Sequence, residues 1–296
     1  MSDNRGGLLF AVAGFATLSV GDAVIKTMAG EWPVVAVAAL RFSIGAAVLG
    51  SLLLVREGRS ALKPERPWLQ LARGGSLAIS SLAFFSAIYI MPLAEAMAIT
   101  FLSPVLTAIL SGPLLGERVR RAVWWASLAA LSGVMLILRP NLAELGWPAL
   151  LPLVAAVFFS LMILANRASA GQGSLLAMQA YLALIAAPIL TVAAFGARGL
   201  GIAGVEFGWP SWDVAARCAL VAFTATCAHW LVYLGTLRAG AAQVAPASYV
   251  QMLVATVLGW WWFGDVPDAL TLGGAGIIIG AGVFLWRDSL RRPDAR

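Results

Sequence analysis

The sequence has little charge, few cysteines and a single histidine. Only 11% of its 296 residues are charged, whereas 61% are hydrophobic. A soluble domain carries about 25% charged residues, so this chain has too little charge to coat a soluble surface. Its two cysteines, Cys218 and Cys227, share one apolar stretch without the spacing of metal ligands, so we expect buried thiols. These shortages exclude an ordinary soluble domain and favour an integral membrane protein.

Several chemical motifs are also missing. A lone histidine excludes the His-Glu-x-x-His zinc motif, and neither a Gly-x-x-x-x-Gly-Lys-Ser/Thr loop nor an aspartate-rich pyrophosphate motif occurs. We therefore expect no metal, no cofactor and no enzymatic activity. A membrane-embedded enzyme acting on a lipid or isoprenoid is the alternative function, and a receptor or scaffold with short loops is a third. The formal net charge of +6 comes from residues between apolar runs, so we expect no nucleic-acid partner.

Long apolar stretches dominate what is present. A membrane-spanning helix needs about 20 mostly apolar residues. Ten stretches meet this need: 8–28, 34–55, 70–91, 94–115, 121–138, 147–166, 174–196, 214–236, 241–263 and 269–286. A signal peptide is the alternative for the first stretch, but Asp22 and Lys26 interrupt its end. The sequence therefore predicts an all-α membrane protein with ten transmembrane helices.

Lysines and arginines are unevenly distributed between the connecting segments. With the N-terminus in the cytoplasm, 15 of the 20 fall in cytoplasmic segments and four in outside segments. Positive residues concentrate on the cytoplasmic side of a membrane. We therefore expect a multi-pass protein of the cell membrane, in a bacterium the inner membrane, with both termini cytoplasmic.

The chain repeats a pattern at an offset of 148 residues. Glu117 follows the fourth stretch and Asp265 follows the ninth, each directly after a glycine. An arginine stands 22 residues after each, at Arg139 and Arg287. Each half holds five stretches, and because five is odd, the second half must be inverted. We therefore predict two inverted repeats around a central cavity, a build typical of secondary transporters. Their predicted bounds are 8–139 and 147–287, with a linker at 140–146.

Three charged residues fall inside the first two predicted spans. Asp22 lies about seven residues before the end of the first span, and Arg41 lies about seven after the start of the second. At about 1.5 Å per residue they reach equal depth and can pair. Lys26, four residues after Asp22, is a second partner on the same helix face. Intramembrane charge is costly, so the cluster is either a structural ion pair or part of a substrate or proton site.

Polar residues also mark a stripe on the fourth and ninth spans. Glu95 and Ser103 are eight residues apart, and so are Gln243 and Gln251 at the repeat-equivalent positions. This spacing places each pair on one helix face. The stripes either line a substrate pathway or hydrogen-bond between helices for packing.

Other intramembrane groups are weaker candidates for the substrate pathway. His229 in the eighth span is either a packing group or a protonatable residue of the pathway. Tyr233 lies four residues further along the same span, and Tyr89 and Tyr249 also fall within spans. We include these tyrosines in the predicted pathway.

Prolines and glycines predict where helices bend and approach one another. Pro104 and Pro246 each remove one amide donor, so each predicts a kink, which becomes a hinge if the helix moves there. Gly276 and Gly280 form a small-xxx-small face for close helix packing. A homodimer through this face is the alternative.

Together these features resemble the drug/metabolite transporter superfamily, in its ten-helix branch built from two EamA domains. The residues that carry the resemblance are Asp22, Lys26, Arg41, Pro92-Leu93-Ala94-Glu95-Ala96, Phe101-Leu102-Ser103-Pro104, Gly116-Glu117-Arg118, Leu138-Arg139-Pro140, Ala245-Pro246, Tyr249-Val250-Gln251, Gly259 and Phe263-Gly264-Asp265. The family often has proline at Met252 and glutamate at Asp265, and the first departure puts a matched pair of kinks in doubt.

The resemblance implies alternating access without nucleotide hydrolysis, with spans three, four, eight and nine forming much of a cavity wall. It implies a small-molecule substrate such as an amino acid derivative, a nucleoside-like metabolite or a vitamin.

Overall fold

The computed structural model describes residues 2–116, 121–169, 171–202, 204–239 and 245–291. Within these ranges the chain is helical and contains no strand. The α-helices are α1 Ser2–Lys26, α2 Val34–Glu57, α3 Pro67–Ile90, α4 Leu93–Thr100, α5 Ser103–Leu115, α6 Arg121–Leu145, α7 Leu151–Ala168, α8 Leu175–Gly199, α9 Trp212–Ala239, α10 Val250–Phe263 and α11 Ala269–Arg291. Short 3-10 helices lie at Arg59–Leu62, Trp147–Leu150 and Ala245–Tyr249.

Seven helical segments in the described ranges are long and apolar enough to cross a membrane. They are Gly6–Lys26, Val34–Glu57, Pro67–Ile90, Leu93–Leu115, Trp147–Ala168, Leu175–Gly199 and Trp212–Gly235. Shorter apolar helices at Trp124–Leu138 and Ala269–Phe284, together with α10, occupy the three other predicted spans. A multi-pass helical membrane protein is therefore confirmed, because a helix satisfies its backbone hydrogen bonds internally.

The outer surface of the bundle is apolar. Val55, Trp125 and Val192 are more than two-thirds exposed, and Trp209 is almost completely so. A soluble protein does not expose so many large apolar side chains. The exposed side chains are those that lipid would cover.

Glycine ends two helices in the same way. Gly116 after α5 and Gly264 after α10 adopt left-handed φ angles of 70° and 69°. A residue without Cβ takes this conformation at little cost, so glycine commonly ends helices. The two glycines are 148 positions apart, as the repeat predicts.

One boundary differs from the sequence prediction. Residues 140–145 of the expected linker 140–146 form the end of α6, which continues to Leu145. Gly146 then adopts a φ angle of 68°, and Trp147 begins the next 3-10 helix. Apolar patterning locates the span, whereas the helix continues into polar residues until a glycine ends it.

Helices of the first half pack mainly against helices of the second half. The largest interfaces pair α1 with α9, α2 with α8, α3 with α7, and α6 with α11. Smaller interfaces pair α1 with α10, α5 with α7, α2 with α9, α3 with α8, and α4 with α10. The spaces between these pairs are therefore bordered by both halves of the chain.

Candidate substrate cavity

A cavity of about 360 Å³ lies between α2, α3, α7, α8 and α9. It extends from Arg41 in α2 and His229 in α9 to Asn166 near the end of α7 and Leu175 at the start of α8. We call this end of the bundle, where α7 ends and α8 begins, the Asn166 end. The cavity has the volume of a small-molecule site and is lined mainly by apolar side chains. Its apolar walls include Phe42, Phe159, Met162, Leu182 and Trp230.

Arg41 is the cation in the wall of this cavity. Its Nε and Nη1 atoms are buried and have no hydrogen-bond partner among the described residues. The guanidinium carbon lies 4.3 Å from the ring centre of Phe42 and 5.2 Å from that of Phe85. Asp22 interacts with Arg41 electrostatically, but no salt bridge joins the two in the described chain. Arg41 is therefore held by aromatic contacts and keeps hydrogen-bond donors unpaired.

His229 lies in the cavity wall, and its side chain is exposed. Its Nδ1 atom is 2.6 Å from the carbonyl oxygen of Ala225 in the same helix. Tyr233, one turn further along α9, packs its ring against Trp230 at 6.3 Å. A role for these residues in transport stays a prediction.

Two polar residues of the cavity wall were not singled out from the sequence. Asn166 accepts a hydrogen bond of 2.5 Å from Nε of Arg73, and Gln179 lies on the first turns of α8. Arg73 is buried in α3, where it also donates to Gln70. Arg73 is one of the 15 lysines and arginines that were assigned above to cytoplasmic segments, because a charge near the end of a span resembles a loop charge. Its amide partner lies 93 positions away and leaves no local signal.

The opposite end of the bundle is tied together by charged groups, and we call it the Lys26 end. The Lys26 ammonium lies 2.6 Å from a carboxylate oxygen of Asp265 and donates to the carbonyl of Met91 at 3.0 Å. It also lies 4.9 Å from the ring centre of Phe263. The prediction that Lys26 pairs with Asp22 is therefore wrong, because its long side chain reaches the loop after α10 instead.

A second cluster at the Lys26 end joins α1 to α9. Arg217 near the start of α9 donates to the carbonyl of Thr27 at 3.0 Å and to carboxylates of Glu31 and Asp213. These contacts bridge the loop after α1 to the first turns of α9. Both clusters therefore hold helix ends together at the end of the bundle opposite Asn166.

The described residues of the predicted polar stripes, Glu95, Ser103 and Gln251, are not among the residues that line this cavity. Glu95 in α4 accepts a hydrogen bond of 3.2 Å from the Thr271 hydroxyl of α11. Tyr89 donates to the carbonyl of Trp32 at 3.5 Å. Gln243 lies outside the described residues. The pathway role of these residues stays a prediction.

Main-chain carbonyls of residues in the same stripes accept hydrogen bonds from serine hydroxyls of other helices. Ser160 of α7 donates to the carbonyl of Ser103 at 2.9 Å. Ser19 of α1 donates to the carbonyl of Gln251 at 2.7 Å. The same bond is thus made at the start of α5 and at the start of α10.

The helices that carry the predicted prolines are interrupted. α4 ends at Thr100 and α5 begins at Ser103, directly before Pro104. Pro246 lies in the 3-10 helix that precedes α10. The rings of Phe101 and Tyr249, one at each interruption, are 5.5 Å apart. The helices are therefore interrupted close to the two prolines. That Pro104 or Pro246 acts as a hinge stays a prediction.

Comparisons with known proteins identify the class to which this helical membrane fold belongs. One solved crystal structure superposes with a TM-score of 0.63 over 96% of each chain at 22% identity, so the two share a fold. Residues 5–139 match the EamA-like transporter family. This match to the first half of the chain, together with the transporters described next, confirms the resemblance to the drug/metabolite transporter superfamily.

The chain is also similar along nearly its whole length to transporters of known substrate. It is 28% identical to a riboflavin transporter of Rhizobium johnstonii, covering 97% of this chain and 92% of the relative. It is 27% identical to the pseudopaline exporter CntI of Pseudomonas aeruginosa, covering 96% of each. It is 24% identical to an S-adenosylmethionine uptake transporter of Rickettsia prowazekii, covering 94% of this chain and 92% of the relative. The chain is a secondary transporter of small metabolites, and the alternative of a membrane enzyme is not favoured.

Proposed function

We propose that this chain moves a small amphipathic metabolite across the bacterial inner membrane by alternating access between two inverted five-helix repeats. The observation that carries the proposal is the cavity, which reaches Arg41 from the Asn166 end while charged clusters join the helices at the Lys26 end. In alternating access the substrate site faces one side of the membrane while the other side is closed.

Repeated contacts support the inverted repeats. Ser19 and Ser160 are 141 positions apart, and their acceptors Gln251 and Ser103 are 148 apart. Exchanging the two halves therefore converts one hydrogen bond into the other. Phe101 and Tyr249, which are also 148 apart, meet each other, as residues on a two-fold axis would.

The contact between α2 and α8 is also preserved when the two halves of the chain are exchanged. The hydroxyl oxygens of Ser43 and Thr191 are 3.5 Å apart, and a Cβ placed on Gly50 would lie 3.2 Å from the side chain of Leu184. Ser43 stands 141 positions before Leu184, and Gly50 stands 141 before Thr191. The interfaces between helices follow the same exchange, in which α1 corresponds to α7, α3 to α9 and α5 to α10. The α1–α9 interface corresponds to α3–α7, and the α1–α10 interface corresponds to α5–α7.

The distribution of lysine and arginine supports cytoplasmic termini, which would make the Asn166 end cytoplasmic. Single cysteines in a background lacking Cys218 and Cys227 test this orientation. We expect a membrane-impermeant maleimide added to intact cells to label a cysteine at Val266 and not one at Gly58. Labelling of both positions from one side contradicts the proposed topology.

The substrates of the relatives define the first transport assays. Riboflavin, pseudopaline and S-adenosylmethionine are tested for uptake, efflux and exchange in proteoliposomes that contain the purified protein. We expect movement of at least one small organic metabolite in the absence of nucleotide. If no metabolite of these classes or of a broad pool moves or exchanges, the proposed function fails.

Whether the Gly276 and Gly280 face makes a homodimer is tested by cross-linking in membranes.

A further inference from the structure

The cavity wall contains one permanently charged side chain. Among the described lining residues, Arg41 is the only lysine, arginine, aspartate or glutamate. A charge at membrane depth is unfavourable unless a counter-charge or hydrogen-bond partner compensates it. No salt bridge in the described chain involves Arg41, and two of its nitrogens lack any partner. The protein therefore holds a cation toward the cavity without neutralising it by direct contact.

Aromatic rings position this cation without using its donors. Phe42 and Phe85 contact the guanidinium within the distance of a cation–π interaction. Such an interaction needs no hydrogen-bond acceptor, and Nε and Nη1 of Arg41 have none among the described residues. These two nitrogens of a residue in the cavity wall therefore keep unused hydrogen-bond donors.

The charge of Arg41 is not repeated in the second half of the chain. At the offset of 141 that relates the two serines, Arg41 corresponds to Leu182 and Asp22 corresponds to Ile163. Leu182 lines the same cavity from α8. The serine hydrogen bonds and the α2–α8 contact recur in both halves, whereas the charges of Asp22 and Arg41 occur only in the first. A ligand that occupies the cavity in one orientation needs a charged partner in one half only.

We propose that Arg41 binds the anionic group of the transported substrate, and that this substrate is a small organic monoanion, a carboxylate attached to an apolar or aromatic body. The inference rests on the proposed transport function, because it assigns the substrate class of that cavity. One cation matches one negative charge, and Asp22 near Arg41 disfavours a second. Phe42, Phe159 and Trp230 supply apolar walls for the body of the substrate.

The decisive experiment compares two probes of the same shape. Purified protein in detergent is titrated with naphthylacetate and with the neutral naphthylacetamide, and the melting temperature is followed. A ligand that binds the native state raises this temperature by mass action. We expect the carboxylate to raise it at concentrations up to about 10 mM and the amide to bind roughly tenfold to a hundredfold more weakly, as expected for loss of a charged hydrogen bond. Equal binding of the two probes, or no shift with the carboxylate, overturns the proposal.

Variants of Arg41 show whether the residue itself carries the preference. Arg41→Gln is expected to lose the carboxylate shift, and Arg41→Lys is expected to keep part of it. Without ligand, Arg41→Gln should melt no lower than the native protein, because the native guanidinium has unpaired donors. The proposal is overturned if Arg41→Gln without ligand melts at a markedly lower temperature, while Arg41→Lys melts like the native protein and shows no preference between the probes. That combination means that Arg41 has a structural role.

Transport assays distinguish failure of this inference from failure of the proposed function. If a metabolite is transported and Arg41→Gln transports it with unchanged KM, the proposed role of Arg41 is contradicted, whereas the proposed transport function is supported. If no metabolite moves but the carboxylate still binds through Arg41, the transport function is wrong while the binding site stands.

Discussion

The Lys26 ammonium lies 2.6 Å from the Asp265 carboxylate and joins the end of α1 to the loop after α10, across 239 positions of sequence. The two side chains are 12% and 23% exposed, so the pair is partly shielded from solvent. A charged hydrogen bond in such a place contributes more than an exposed surface pair does. The pair therefore holds the end of α1 against the loop after α10 at the Lys26 end.

Removal of this pair is expected to destabilise the protein. Lys26→Met and Asp265→Asn should each lower the free energy of unfolding in mixed micelles, and a double-mutant cycle should give a coupling of about 1–2 kcal/mol. The matched control is Asp213 with Arg217, since Asp213 is 73% exposed. That coupling should be below about 1 kcal/mol. Equal couplings for the two pairs contradict the assigned importance of Lys26.

The two serine hydrogen bonds are expected to have similar energies. Ser19→Ala and Ser160→Ala each remove one hydroxyl that reaches a carbonyl of another helix. Hydrogen bonds between membrane helices average about 0.6 kcal/mol, so each substitution should cost roughly that amount. Ser132→Ala is the control, because the Ser132 hydroxyl bonds within its own helix and is exposed. A large cost for one serine and none for the other contradicts their equivalence in the repeat.

The sequence was most informative about features that depend on local composition. Apolar runs located the helices, Pro104 located an interruption, and the glycines after the fourth and ninth spans located helix ends. Each of these depends on residues within one or two turns of one another. The offset of 148 could therefore be found from the sequence alone. The shorter offset of 141, which relates α1 and α2 to α7 and α8, required the contacts of Ser19 and Ser160.

Contacts between distant parts of the chain could not be predicted in this way. Lys26 has an acid four residues before it, at Asp22, yet binds one 239 positions away. Asn166 and Gln179 are ordinary polar residues near span ends until the packing of α7 and α8 places them in the wall of the same cavity as Arg41. Depth in the membrane follows from residue counting, whereas the direction of a long side chain depends on neighbours that periodicity does not identify.

The α6–α11 interface predicts contrasting effects of two glycine substitutions. A Cβ on Gly133 would lie 2.6 Å from the carbonyl oxygen of Gly274, whereas a Cβ on Gly280 would meet nothing within 4 Å. Gly133→Ala should therefore force the helices apart and cost about 1–3 kcal/mol. Gly280→Ala should be neutral or stabilising by up to about 1 kcal/mol, because alanine favours helix.

Both glycine variants are compared by unfolding in mixed micelles and by cross-linking in membranes. If Gly280→Ala destabilises the protein as much as Gly133→Ala does, the close contact of α6 with α11 is misplaced. A loss of cross-linked dimer in Gly280→Ala, with unchanged monomer stability, instead assigns the face of Gly276 and Gly280 to a homodimer.

The start of α11 predicts a pH-dependent contribution to stability. Asp268 precedes the helix, and its carboxylate accepts a hydrogen bond of 2.6 Å from the backbone N–H of Thr271. Hydrogen bonding to Thr271 lowers the pKa of Asp268 below its ordinary value of 3.8. A lowered pKa means that folding favours the ionised form, so this stabilisation is complete above pH 3.8 and is lost as the pH falls through the folded-state pKa.

Asp268→Ala should therefore reduce stability at neutral pH by about 1 kcal/mol, the usual cost of removing an N-cap side chain. The difference from the native protein should shrink as the carboxyl group becomes protonated in acid. Asp268→Asn is the matched control, since its amide oxygen still caps the helix and does not titrate; its stability relative to Asp268→Ala should stay constant with pH. The measurement is the unfolding free energy of the three proteins from neutral pH to below pH 3.8. A native-to-alanine difference that is the same at both ends of this range contradicts the role of the ionised carboxylate, because a neutral cap alone would give that result.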